Sequence, residues 1–142
     1  MGGDRVQYFA RAAEHRLIAA EVLLRNAMDA YPTLLLDAVY LGGYAVECSL
    51  KAVILSRIPE PERDAYEKQH FRGRDGHKLE ALHDKLVSHG ARPPSDVMRR
   101  IHALRWHSEL RYEAGAMKFK EADALRFCRD AVEIVRWMKR SM

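Results

Sequence analysis

Residues 34–56 read LLLDAVYLGGYAVECSLKAVILS, and this stretch decides the fold. Val39, Gly43, Val46, Leu50 and Val53 recur at alternating steps of four and three, which places them on one face of a single helix. Asp37, Glu47 and Lys51 lie off that seam. Glu47 and Lys51 are four apart in the favourable order and are expected to pair across one turn. Tyr31-Pro32 stands just before the run, where a proline in the first turn is tolerated. Gly42-Gly43 sits mid-helix, although each glycine there costs about 1 kcal/mol relative to alanine. Such a cost implies a notch, either for a neighbouring backbone or for simple packing. The three charges interrupt the apolar run, so it reads as the spine of an all-α domain and not as a membrane span.

Working outward, residues 4–28 carry a second stripe: Val6, Phe9, Ala13, Leu17, Ala20, Leu24 and Ala27. Asp4 is the expected N-cap. The short link over residues 26–32 predicts that these two helices are antiparallel neighbours. Arg57 to Gly76 is the longest irregular stretch, with Pro59, Pro61, Gly73 and Gly76. Its tail, HFRGRDGH (residues 70–77), reads either as a phosphate-touching loop or as a solvated connection. A third helix is expected over 77–89, with Leu79, Leu82, Leu86 and Val87 inward and Gly90 ending it. A fourth starts at Ser95 or Asp96 and is expected to reach Glu109 or beyond. A fifth, 121–139, presents Ala124, Phe127, Cys128, Ala131, Ile134, Val135 and Met138 as one apolar face. The pattern predicts an up-and-down antiparallel bundle of about five helices in a single domain, residues 1–142.

The chain of 142 residues is the right size for one core, and 48% hydrophobic with 31% charged residues is ordinary for a globular protein. No basic-then-apolar leader opens it, so no signal peptide is expected. Cys48 and Cys128 fall inside helices and read as small buried side chains in a reducing, cytoplasmic compartment. A formal net charge of +4 is compatible with an anionic partner such as RNA.

Helix four, VMRRIHALRWHSELRY (97–112), concentrates the chemistry. If it continues far enough, Arg100, His107 and Arg111 fall within about 40° of one another along one edge. Guanidinium forks suit phosphate oxygens, and an imidazole moves a proton near neutral pH. Arg105 and His102 lie on the other edge. Trp106 and Leu110 then either face outward as a partner surface or are covered by another helix. No metal-binding motif is present, and no cofactor loop is expected. Glu47 is expected to be paired, with Lys51 or with an arginine from another helix.

Several phrases carry a family resemblance. AVYLGGYAVECSLKAVIL (38–55) resembles the core helix of HEPN domains (higher eukaryotes and prokaryotes nucleotide-binding). GHKLEALHDKL (76–86) resembles their third helix, and Arg111-Tyr112 and EADALRFCRDAVEIVRWMKR (121–140) also fit. The resemblance implies a helical bundle, a homodimer, and in many members a metal-independent endoribonuclease of toxin–antitoxin or defence systems. The family motif is an Arg, four to six residues, then His. Arg100 and His107 match it with six between them, although Ile101 stands where a polar residue is typical. Those two are therefore the expected catalytic residues, with Arg111, Tyr112 and Arg105 as candidate RNA- or phosphate-binding residues. The Arg-Tyr pair resembles a branch encoded beside minimal nucleotidyltransferases. That branch implies the alternative of a non-catalytic module that binds a nucleotide or a nucleotidyltransferase-type antitoxin.

Overall fold

A computed structural model describes residues 4–30, 33–108, 110 and 120–142. They form an all-α bundle, with no strand among the described residues. In chain order the helices are α1 (Arg5–Asp29), α2 (Leu34–Ser56), α3 (Arg63–His70), α4 (Leu79–Ser88), α5 (Ser95–Ala103) and α6 (Glu121–Ser141). Single 3₁₀ turns at Glu60–Glu62 and Asp75–His77 precede α3 and α4.

Helix α2 is the spine. Val39, Val46, Leu50 and Val53 are fully buried, and so are Ile54 and Leu55. Burying each such side chain favours folding by about 1.5–3 kcal/mol before entropy is counted. By length and composition α2 could cross a bilayer, but 89% of its most apolar window is buried against the other helices. Helix α1 packs along it. Phe9 lies by Lys51 and Arg16 lies over Tyr44, so rising numbers on one helix meet falling numbers on the other and the pair is antiparallel. Asp4 caps α1 as expected, its Oδ1 accepting from the Val6 amide at 3.0 Å. Tyr31-Pro32 lies outside the described residues. Helix α6 packs against both α1 and α2 with its whole expected apolar face buried.

Three expectations are corrected. The stretch read as irregular, residues 57–76, contains α3, although none of α3's residues is buried. Arg5 holds this helix in place through Glu67, with Nε–Oε1 at 2.8 Å and Nη2–Oε2 at 2.7 Å, and Tyr66 stacks near His70. Val87 is exposed, because α4 is short and presents only Leu79, Leu82 and Leu86 to the core. Most consequentially, the fourth long helix stops at Ala103, far short of Glu109.

The cause of that stop is packing. Arg105 takes a left-handed backbone with φ of 57°, which breaks the helical path. The turn swings Trp106 inward, where it is buried beside Tyr40 and Tyr44. Its Nε1–H donates to the Tyr40 carbonyl at 3.1 Å. The indole fills the notch at Gly43, so the mid-helix glycine accommodates a side chain and not a crossing backbone. Trp106 and Leu110 are thus core residues, and neither provides an outward partner surface.

Candidate functional site

Two of the cationic grooves among the described residues hold candidates read from the sequence. The first lies between α5 and α6. Arg126, Arg129, Glu133 and Arg136 are spaced three or four apart on α6, which brings them to one face, and Asp130 borders it four residues after Arg126. Together with Arg100 of α5 and Val132 they line a shallow groove of about 640 Å³. Four arginines against two carboxylates leave it net positive. Arg100 does not project freely into this groove. Its Nε stands 3.2 and 3.1 Å from the two Asp130 oxygens, and its Nη2 donates to Oδ1 at 2.8 Å. Hydrogen bonding to Asp130 raises the Arg100 pKa further and locks its charge on. Asp130 is buried, so the ion pair also ties α5 to α6.

The second cleft, of about 230 Å³, is lined by Arg74, His77, Lys78, His107 and Ser108. One of its walls, His77, is tied to α2. The Glu47 carboxylate and the Lys51 ammonium are both buried and pair at 2.9 Å, as the four-residue spacing predicts. The same Oε2 of Glu47 lies 3.1 Å from His77 Nδ1. An ionised carboxylate can only accept, so Nδ1 carries the proton and Nε2 is left as the acceptor of the neutral ring. The rings of Phe9 and Phe71 stand 5.7 and 5.3 Å from Lys51 Nζ. Charge attraction to those faces helps hold the ammonium away from water. The turn carrying His77 is itself fixed by packing. A side chain at Gly76 would stand 2.4 Å from the Phe71 carbonyl, so only glycine allows the turn to lie so close.

The sequence-derived residues therefore divide. Arg100 lines the α5–α6 groove and His107 lines the cleft above α2. The single helix edge expected to carry both is not formed, because α5 ends before His107. Arg105 is exposed at that break. Arg111 and Tyr112 lie outside the described residues. Among the described residues no three His, Cys, Asp or Glu side chains cluster as metal ligands would.

Residue-type reading missed Asp130, Arg126 and Arg129, although their periodicity on α6 was visible in the sequence. It also missed the meeting of His77 with Glu47. The basic tail at 70–77 was a usable signal there, since it contributes Arg74 and His77 to the cleft. Cys48 and Cys128 are both free and buried, and burial pushes each thiol up to about 12. Comparison with protein-family models, with curated proteins and with solved structures gave no match.

Proposed function

We propose that this chain is an RNA-binding helical module of the HEPN type, working as a homodimer and cleaving its bound RNA without a metal. The observation that carries the binding half is the α5–α6 groove with its four arginines. A planar guanidinium offers parallel donors that match two oxygens of a phosphate, and several along one face track a backbone. Single-stranded RNA is flexible enough to follow such a groove, and its affinity would come mainly from released counterions.

The engagement of Arg100 with Asp130 favours a second reading for this one groove. An arginine already holding a carboxylate is suited to shaping a docking surface more than to stabilising a transition state. On that reading the groove takes a nucleotide phosphate or the acidic face of a partner, such as a minimal nucleotidyltransferase serving as antitoxin.

Fluorescence anisotropy with a labelled single-stranded RNA tests the proposal. Occupying three or four phosphates predicts a log–log salt slope of about −2 to −3. Replacing Arg126 and Arg129 with alanine should flatten it. Salt-independent binding, or no binding at low salt, would exclude RNA as the ligand. Sedimentation of the same samples reads the homodimer.

A further inference from the structure

The groove that best explains RNA binding has no imidazole on its walls, whereas the cleft above α2 has two. We propose that the cleft of Arg74, His77, Lys78, His107 and Ser108 is the catalytic centre for RNA cleavage, with Glu47 as a positioning residue and a single-stranded RNA phosphodiester as substrate. This rests on the RNA-binding reading above.

The cleft holds the parts that such a cleavage needs, and one of them is fixed in place. Glu47 Oε2 fixes one ring nitrogen of His77 at 3.1 Å, which selects the tautomer whose Nε2 can accept a proton. The His77 side chain is 39% exposed, so the ring reaches solvent while its anchor does not. The anchor is a buried carboxylate, only 1% exposed, neutralised by buried Lys51. Its other oxygen, Oε1, is buried without a hydrogen-bond partner among the described residues. A buried charge left partly unsatisfied is a costly feature, and such features concentrate where a fold serves chemistry as well as stability. Arg74 and Lys78 line the cleft with the two histidines and supply charge for the nonbridging phosphate oxygens; Lys78 Nζ stands 3.3 Å from Asp75 Oδ1, an exposed surface pair of little strength that a phosphate can displace.

The reaction follows from these positions. Neutral His77 takes the proton from the ribose 2′-hydroxyl through Nε2, and the 2′-oxygen forms a bond to phosphorus. The bond from phosphorus to the 5′-oxygen breaks, and His107 in its protonated form gives that oxygen its proton. The products are a 2′,3′-cyclic phosphate and a 5′-hydroxyl. One proton is taken and one is given, and no water, metal or redox partner enters the step. Arg74 and Lys78 offset the negative charge that builds on the phosphorane.

The test uses the full chain, a labelled single-stranded RNA in chelator, and a 2′-O-methyl oligonucleotide of the same sequence as the non-cleavable binding probe. Wild type should cut the RNA and leave cyclic-phosphate ends. His77→Gln and His107→Gln should each slow cleavage by at least about 100-fold while binding of the probe stays within about threefold. Glu47→Asp should keep a reduced rate with a shifted pH–rate profile, and Glu47→Gln should lower the rate further. Circular dichroism melts identify any variant that fails to fold, and the two histidine variants then decide the matter because His77 is half-exposed and His107 is exposed. If wild type binds the probe but leaves RNA intact, or if either histidine variant cuts at the wild-type rate, this inference is overturned while the binding proposal stands. If Glu47→Asp lowers the rate with an unaltered pH profile, the positioning role is overturned. If wild type binds neither oligonucleotide, the RNA reading itself fails.

Discussion

The indole of Trp106 occupies the place where a side chain at Gly43 would stand: a Cβ there would lie 2.1 Å from Trp106 Nε1. In an unconstrained helix interior, alanine in place of glycine would stabilise by about 0.5–1 kcal/mol. Here the clash reverses the sign, and Gly43→Ala is expected to destabilise by about 1–3 kcal/mol in urea unfolding. Trp106→Ala alone should be destabilising by cavity formation, but it removes the clash. In the double variant the alanine at 43 should therefore be neutral or favourable, a coupling that a double-mutant cycle reads directly.

The buried pair of Glu47 and Lys51 predicts a second asymmetry. Lys51→Met leaves the Glu47 charge uncompensated and should cost about 3–5 kcal/mol. Replacing both at once, Glu47→Leu with Lys51→Met, removes the uncompensated charge along with the pair. That double variant should recover most of the loss in chemical denaturation. Equal instability of single and double variants would show that the pair's geometry, not its charge balance, holds α2 in register.

Stability should also fall on mild acidification. Burial, then the neighbouring His83, lower the His102 pKa from its usual value near 6.5. A depressed folded-state pKa means that the unfolded chain takes up the proton more readily. The contribution is complete above about pH 6.5 and is lost as pH drops from there toward the lower folded value. Melting temperature should therefore decline below about pH 6.5, and His102→Asn should flatten that decline. His70, also lowered mainly by burial, acts in the same direction and is separated from it by a His70→Asn control.

Both thiols should be silent in the folded protein. With the thiols pushed up to about 12 and buried, neither Cys48 nor Cys128 presents a thiolate at neutral pH. Ellman's reagent should label neither natively and both in denaturant. Rapid native labelling would mean that α2 and α6 separate on the timescale of the assay.

Releasing Arg100 tests the α5–α6 groove from another side. Asp130→Asn removes the carboxylate that holds Arg100 and leaves the groove more positive. Affinity for single-stranded RNA should rise and its salt dependence steepen. An unchanged affinity would place the RNA elsewhere on the surface.

The core was legible in the sequence because its information is periodic. The seam of α2, the cap at Asp4, the pairing of Glu47 with Lys51 and the apolar face of α6 each follow from residues one to four positions apart. What escaped was set by partners far along the chain. Residues 104–110 contain no glycine or proline, so nothing local ends α5; the notch at Gly43, some sixty residues earlier, receives Trp106 and bends the chain at Arg105. Helix α3 has no apolar stripe of its own; Arg5 holds it through Glu67, and Tyr66 packs against the core beside Phe71. The candidate site shows the same division. Arg100 and His107 were visible by type, but Asp130 and Glu47, each thirty residues from its partner in sequence, decide what Arg100 and His77 can do.

Photo-crosslinking of a thiouridine-substituted single-stranded RNA to the wild-type chain, with the attached peptides mapped by mass spectrometry, tests the central claim most directly. The account predicts crosslinks on the α6 segment bearing Arg126 to Arg136 and around Arg74 to Lys78, lost when sodium chloride is raised. Crosslinks confined to the outer face of α1, at exposed Ile18 and Val22, or none at low salt, would contradict it.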